Sequence, residues 1–150
     1  MVYAWMPTML RSFSKVEGIN AINLQDLLRY SQMARKKDIT DDQERKLFTG
    51  LAKLTKNHMV GASKVLMVLN NEVYPIFDNR VMVGWNEYPE NKNRKLSNKS
   101  IIKDENDCLK NYIMYKNCLI TWAKQENKTI RQFEFLFFYK GRQMQKEFEK

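Results

Sequence analysis

This 150-residue chain is poor in the residues that build turns, metal sites and disulfide frameworks. It contains 5 Gly and 3 Pro, which argues against a turn-rich all-β fold and favours long helices. Its 2 Cys and single His make no recognisable zinc or iron–sulfur site. Neither a Gly-rich phosphate-binding loop nor a nucleophile elbow occurs in the sequence. We therefore expect no metal and no other cofactor.

Long apolar runs are missing as well. No run reaches the roughly 18 residues that cross a bilayer, and residues 1–7 lack the basic stretch and cleavage site of a signal peptide. Cys108 and Cys118 lie in one apparent helix, and their spacing puts them about 15 Å apart along its axis, too far for a disulfide. These features predict an intracellular, cytoplasmic protein that is not bound to a membrane and keeps its thiols buried.

Positive charge is present in excess. The chain has 26 Lys and Arg residues against 17 Asp and Glu, which gives a net charge of +9. A charge of this size attracts polyanions, and nucleic acid is the first of them. We expect DNA as a partner, although many basic proteins bind neither nucleic acid nor membranes.

Apolar residues recur at helical spacing along most of the chain. This pattern predicts an all-α fold, with six or seven helices in a single domain that spans residues 1–150. Residues 3–13 are expected to form the first helix. Residues 60–70 are apolar nearly all round, which predicts a helix at the centre of the domain. Residues 133–139 have the composition of a strand, but the capping signal before them favours a helix.

Capping signals mark where several of these helices begin. Asn23 is a predicted N-cap, and the helix behind it is expected to turn Leu27 and Leu28 inward. Thr40 and Thr129 each have Gln three residues on, which is the capping-box pattern. Between the helices we predict one basic insertion loop, at about 86–104. That loop either holds phosphates or is a solvated, mobile insertion.

The most informative stretch covers residues 61–81. An apolar helix is followed by a turn with Pro75 and then by Asp78, which opens a second apolar helix. A carboxylate at a helix N-terminus is stabilised by backbone N–H groups and by the helix dipole. Such preorganised negative charge suits a reaction that passes through a glycosyl cation. From spacing alone, however, the favoured interpretation is an N-cap that only accepts bonds from the amides of residues 80 and 81.

This stretch resembles the helix–hairpin–helix superfamily of base-excision DNA glycosylases. Ala62 matches the alanine of the apolar helix, Pro75 the loop proline, Asp78 the essential aspartate, and Val81 the aliphatic residue that follows. Residues 133–141 resemble a late segment of small glycosylase-like proteins. The resemblance implies a glycosylase-like helical fold that binds DNA and flips a base into a pocket. Asp78 would then stabilise the sugar cation and orient a water molecule.

Two features depart from the family pattern. Glycines of the family hairpin let backbone amides approach a DNA phosphate, and here Asn57 and His58 stand in their place. The lysine with which bifunctional members form a Schiff base is replaced by Val60, and Lys64 lies one turn on. The resemblance therefore implies a monofunctional enzyme with water as its nucleophile, whose hairpin contacts phosphates through side chains.

The candidate site has three parts. Asp78 is the catalytic residue. The expected phosphate contacts are basic or polar side chains of the hairpin, the following helices and the loop: Lys56, Asn57, His58, Lys64, Arg80, Lys92, Arg94 and Lys95. The aromatic residues expected to stack on an extruded base, if they do not pack the core instead, are Trp5, Tyr74, Phe77 and Trp85.

Two functions of different classes stay open on these grounds. The first is a DNA-binding protein that hydrolyses the N-glycosidic bond of a modified base, acting in DNA repair. The second is a catalytically inactive scaffold that binds DNA or a protein partner, for example as a phage- or defence-related inhibitor. An Asp78 carboxylate open to a groove favours the first, and an occluded one bonded only to helix amides favours the second.

Overall fold

A computed structural model describes residues 23–55 and 58–149. Over these residues the chain forms six α-helices and no strand, so the predicted all-α class is confirmed. The helix predicted over residues 3–13 lies outside the described residues. The helices are α1 (Leu24–Arg35), α2 (Asp41–Leu54), α3 (Met59–Leu69), α4 (Asn79–Glu87), α5 (Glu105–Gln125) and α6 (Ile130–Phe148).

Local capping signals set the start of three of these helices as predicted. Asn23 Oδ1 accepts a hydrogen bond of 2.8 Å from the Asp26 N–H at the start of α1. Thr40 and Thr129 form complete capping boxes at α2 and α6. Residues 133–139 are helical, which confirms the choice of helix over strand.

An aromatic core is built around α5. The rings of Tyr112 and Tyr115 are fully buried. Phe48 of α2 packs edge-on against Tyr112 with ring centroids 5.2 Å apart, and Trp85 of α4 packs in the same way against Tyr115 at 5.3 Å. Edge-to-face contacts of this kind add to the free energy gained by burying the rings.

Two apolar side chains expected inside the domain lie on its surface. Leu28 is 56% exposed and Val68 is 69% exposed. In α3 the inward stripe consists of Met59, Ala62 and Leu66, which follow one another at helical spacing and are fully buried. Helix α3 is therefore apolar on nearly all sides but buried on only one of them.

Helices α4 and α6 cross with their backbones in contact, and two glycines make this possible. A Cβ atom on Gly84 would lie 1.9 Å from the Phe137 carbonyl oxygen, and one on Gly141 would lie 1.8 Å from the Arg80 carbonyl oxygen. No side chain fits into these gaps. The crossing fixes the start of α4 against α6 at Gly141.

The predicted basic loop is shorter than expected and is anchored to the core. Asn86 belongs to α4, a 3₁₀ turn follows at Pro89–Asn91, and α5 begins at Glu105. Asn86 pairs with Leu96 through two hydrogen bonds of 2.8 and 2.9 Å. Because Leu96 is buried, the middle of this segment is folded onto the domain, and the description as a solvated insertion is wrong there.

None of the helices in the described ranges is both long enough and apolar enough to span a bilayer.

Candidate functional site around Asp78

Asp78 is the N-cap of α4. Its Oδ1 accepts a hydrogen bond of 2.8 Å from the Arg80 N–H, as expected for an N-cap. The side chain is half-buried, so the carboxylate is neither sealed inside the protein nor fully solvated. At this position the N-terminal dipole of α4 favours a negative charge.

The segment that delivers Asp78 is held by two tyrosines of α5. Tyr112 Oη donates a hydrogen bond of 2.9 Å to the Pro75 carbonyl, and Tyr115 Oη donates one of 3.1 Å to the Ile76 carbonyl. Both hydroxyl groups are buried, and burial raises the pKa of Tyr112 well above its usual range. The hydroxyl therefore stays protonated and remains a donor.

Side chains from α3 and α6 hold the same segment from its other sides. The Phe77 N–H donates a hydrogen bond of 2.9 Å to Ser63 Oγ. Arg131 donates to the carbonyls of Asn71, at 3.2 Å, and of Tyr74. Three helices thus fix the backbone immediately before Asp78, which is the kind of rigid support that a preorganised site requires.

Glu134 of α6 is the least expected member of this region. Its side chain is almost completely buried, and its Oε2 lies 2.5 Å from Arg131 Nη1. Neither carboxylate oxygen has a hydrogen bond of good geometry to any described residue. Burial raises the pKa of Glu134 to about 7, opposed by Arg131 and the nearby Ile76 N–H and reinforced by the negative charge of Asp78.

Asp78 and Glu134 therefore form a pair of interacting carboxylates in different environments. Asp78 is partly open and caps a helix, whereas Glu134 is enclosed and loses its proton only near neutral pH. Glu134 has no open path to a substrate, so its influence on chemistry would run through Asp78 and the segment before it.

The aromatic residues predicted to stack on a base are core residues instead. Tyr74, Phe77 and Trp85 are 1%, 2% and 0% exposed. Phe77 packs against Tyr112 with ring centroids 5.8 Å apart, and Tyr74 Oη donates to Glu44 at 2.8 Å. Because protein atoms cover these rings, no base can stack on them in this conformation. Trp5 lies outside the described residues.

The predicted hairpin contacts are only partly described. Lys56 and Asn57 lie outside the described residues. His58 is the N-cap residue of α3 without a side-chain capping bond, and its Nδ1 is buried with no partner in the described structure. Lys64 is half-buried on α3, and Arg80 is exposed at the start of α4.

The basic residues predicted in the loop differ in how free they are. Lys92 is exposed. Lys95 is exposed too, but its Nζ donates to the Asn86 carbonyl. The Arg94 guanidinium is held by the protein, because it donates to Cys118 Sγ at 3.4 Å and lies 5.5 Å from the centre of the Trp122 ring. Arg94 is therefore a structural residue in this arrangement.

An aromatic and cationic face of α6 was missed at the sequence level. Phe135 and Tyr139 are 46% and 54% exposed, and Arg142 and Lys146 are exposed on the same helix. The four positions follow one another at helical spacing, which is the signal that could have revealed them. An open surface cavity of about 530 Å³ has as its described lining Tyr139, Arg142, Gln143, Lys146 and Glu147.

A second, mostly apolar cavity of about 280 Å³ lies between the end of α5, the start of α6 and the 3₁₀ turn. Trp122, Phe133 and Leu136 contribute to its lining, together with Glu90 and Glu126 at its rim. Asp78 lines neither of these two cavities. Lys128 also belongs to the lining, so this cavity carries charges of both signs.

The described residues offer no built site for a metal. Within the two described ranges, no group of three or more His, Cys, Asp or Glu side chains could hold an ion. Cys108 and Cys118 are free thiols of α5, and burial raises the pKa of Cys108 to about 11. A thiol held protonated in this way is a poor nucleophile.

Comparison with known proteins gives no support from relatives. Neither the family models, nor the curated proteins, nor the solved structures contain a match to this chain.

Proposed function

We propose that this chain binds DNA beside the start of α4 and that Asp78 acts there on the N-glycosidic bond of one nucleotide. The observation that carries the proposal is the position of Asp78. Its half-buried carboxylate lies at a helix N-terminus, with the exposed Arg80 two residues on. A negative charge for the sugar and a positive charge for a neighbouring phosphate are thus present side by side.

The chemistry that fits these groups is hydrolysis by a monofunctional enzyme. As the base departs, positive charge develops on the sugar, and the Asp78 carboxylate would stabilise that charge and orient a water molecule. Val60 occupies the position that the resemblance assigns to a Schiff-base lysine, so water is the nucleophile. The fastening of the segment before Asp78 supports this role, since a fixed carboxylate needs no reorganisation during the reaction.

The second candidate is a DNA-binding scaffold without catalysis. It is favoured by the burial of Tyr74, Phe77 and Trp85, which removes the rings that were expected to hold an extruded base. It is also favoured by the bond between Asp78 and the Arg80 N–H, which a structural cap would make. Both candidates share DNA binding and differ only in what Asp78 does.

A base-release assay over duplexes with different modified bases separates the two candidates. For the duplex that the wild type processes, we expect Asp78→Asn to lower the release rate at least about 100-fold, in line with the loss of one preorganised electrostatic group. DNA affinity should be unchanged or higher, because the variant removes a negative charge.

The matched control is Asp104→Asn. Asp104 caps α5 by accepting a 3.0 Å hydrogen bond from the Asp107 N–H, and Asn caps helices about as well as Asp. This variant should release base at the wild-type rate. DNA binding without release from any duplex would establish the scaffold, and the absence of both binding and release would refute the proposal.

A further inference from the structure

The outer face of α6 carries a stripe of four exposed side chains, two aromatic ones followed by two cationic ones. Phe135, Tyr139, Arg142 and Lys146 are separated by four, three and four residues, so they lie above one another on one side of the helix. The stripe extends for about 16 Å along the helix axis. The buried residues Glu134, Phe137 and Gly141 occupy the opposite side.

The two aromatic rings of this stripe are exposed in spite of their size. Phe135 and Tyr139 are 46% and 54% exposed, whereas Tyr112 and Tyr115 of α5 are fully buried. Proteins that bind single strands combine exposed rings, on which successive bases stack, with a cationic surface that follows the backbone. Duplex DNA offers no free base faces, and only unpaired bases can use such rings.

The charge of the stripe fits a phosphate backbone. Arg142 and Lys146 are exposed and form no ion pair with any residue of the described ranges. Arg80 extends the cationic surface, because its Nε donates a 3.2 Å hydrogen bond to Gln145 and its guanidinium lies 5.6 Å from the centre of the Phe138 ring. Among the described residues that line the 530 Å³ cavity, the one carboxylate is that of Glu147, and it opposes these positive charges.

The stripe is also joined to the candidate site. Arg80 lies two residues after Asp78, and its carbonyl oxygen touches α6 at Gly141. The Arg80 side chain also reaches Gln145 and Phe138 of α6, so this residue joins the start of α4 to the helix that carries the stripe.

We propose that Phe135, Tyr139, Arg142 and Lys146 form a binding surface for unpaired nucleotides of DNA, in which the two rings stack on bases and the two cations contact phosphates. This inference rests on the proposed function and specifies the form of DNA and the surface that receives it. The basic loop before α5 has a lesser part, because Arg94 is held by protein contacts.

Affinity measurements by fluorescence anisotropy test the inference with a labelled single-stranded 12-mer and a blunt duplex of the same sequence. The double variant Phe135→Ala/Tyr139→Ala should weaken binding of the single strand on the order of 10-fold or more and leave the duplex within about 2-fold, because stacking acts on unpaired bases. The control is Phe148→Ala, which removes an 85% exposed ring from a different side of α6.

The contribution of Arg142 and Lys146 is measured by the salt dependence of the affinity for single-stranded DNA. Arg142→Gln/Lys146→Gln should reduce the slope of log affinity against log salt for the single strand by about 1.4, which corresponds to two lost phosphate contacts. The matched control is Lys124→Gln/Lys128→Gln, which removes two exposed cations elsewhere. That control should change the slope by less than half as much.

Each result decides between distinct conclusions. If the wild type binds DNA and the stripe variants behave like their controls, the inference is wrong and the proposed function stands. Equal losses for single strand and duplex would also overturn stacking. If the wild type binds neither form, the proposed function fails as well. A dimer by light scattering that the aromatic variant dissociates would reassign this face to contact between two copies.

Discussion

Glu44 and Glu134 are both carboxylates enclosed by protein beside a cation, yet they are compensated very differently. Glu44 Oε1 accepts a hydrogen bond of 2.5 Å from Lys116 Nζ, and its Oε2 accepts one of 2.8 Å from Tyr74 Oη. Glu134 has Arg131 at 2.5 Å but makes no well-formed hydrogen bond in the described structure. Glu44 thus cross-links α2, α5 and the segment before Asp78, whereas Glu134 carries a charge that the fold accommodates poorly.

Glu44 therefore stabilises the structure, whereas Glu134 is buried at a cost in stability. A protein tolerates a poorly compensated buried group most readily where it serves a site. The negative charge of Asp78 contributes to the raised pKa of Glu134. The contrast therefore favours the proposed site around Asp78 over one at the Glu44 cluster.

The largest effect on stability should come from filling the gap at Gly141, where α6 crosses α4. Gly141→Ala would place a Cβ atom 1.8 Å from the Arg80 carbonyl oxygen. Backbone atoms cannot move aside as a flexible side chain can, so we expect the free energy of unfolding to fall by at least about 4 kcal/mol. Urea denaturation measures this loss of free energy, and substitution of the exposed Gln143, Gln143→Ala, is the control. A loss under about 1 kcal/mol would show that the helices do not cross this closely.

The next largest effect on stability should come from removing the cation that compensates Glu44. Lys116→Met leaves the Glu44 carboxylate enclosed without its cation, and breaking a buried pair from one side costs about 3–5 kcal/mol. Lys124→Met, on an exposed part of the same helix, should change stability by no more than about 0.5 kcal/mol. If the denaturation curves of the two variants coincided, the pair between Lys116 and Glu44 would not stabilise the fold.

Glu134→Gln should raise the free energy of unfolding, and the size of this gain should depend on pH. The unfolded chain loses the Glu134 proton near 4.5 and the folded chain near 7. Folding stability is therefore lost as the pH rises through this window, by about 3 kcal/mol at pH 8. Glutamine cannot ionise, so the variant should equal the wild type near pH 4 and exceed it by up to about 3 kcal/mol at pH 8. Parallel stability profiles from pH 4 to 8 would contradict the assignment.

The smallest effect concerns the hydroxyl groups that fasten the segment before Asp78. Tyr112→Phe and Tyr115→Phe each remove one buried donor to a backbone carbonyl. We expect each to lower the free energy of unfolding by about 1 kcal/mol, and Tyr139→Phe on the surface to change it by less than about 0.5 kcal/mol. If the buried tyrosines matched the surface one, the segment would not depend on them.

Local features of the fold were predictable from the sequence because their causes lie within a few residues. The caps at Asn23, Thr40 and Thr129 need only a side chain and the amides of the next turn. The same holds for Asp78, whose capping bond spans two residues. The helical state of residues 133–139 followed from the capping box in front of them.

Long-range features were not predictable because the pattern of one segment does not say what packs against it. Helical spacing could not tell whether Tyr74, Phe77 and Trp85 line a cavity or fill the core, and they fill the core. Nothing in the sequence around Glu134 shows that Ile76 and Asp78 interact with it in the fold. The contact between Gly84 and Gly141 is equally invisible in the sequence.

The most direct test of the central claim compares two DNA duplexes that differ in one sugar. One duplex carries a pyrrolidine ring, cationic at neutral pH, in place of a deoxyribose, and the other carries a neutral tetrahydrofuran ring. If Asp78 faces the sugar, the wild type should prefer the cationic duplex by at least about 10-fold, because it mimics the charge of the transition state. Asp78→Asn should abolish that preference. An equal preference in the two proteins, or none in the wild type, would contradict the role of Asp78.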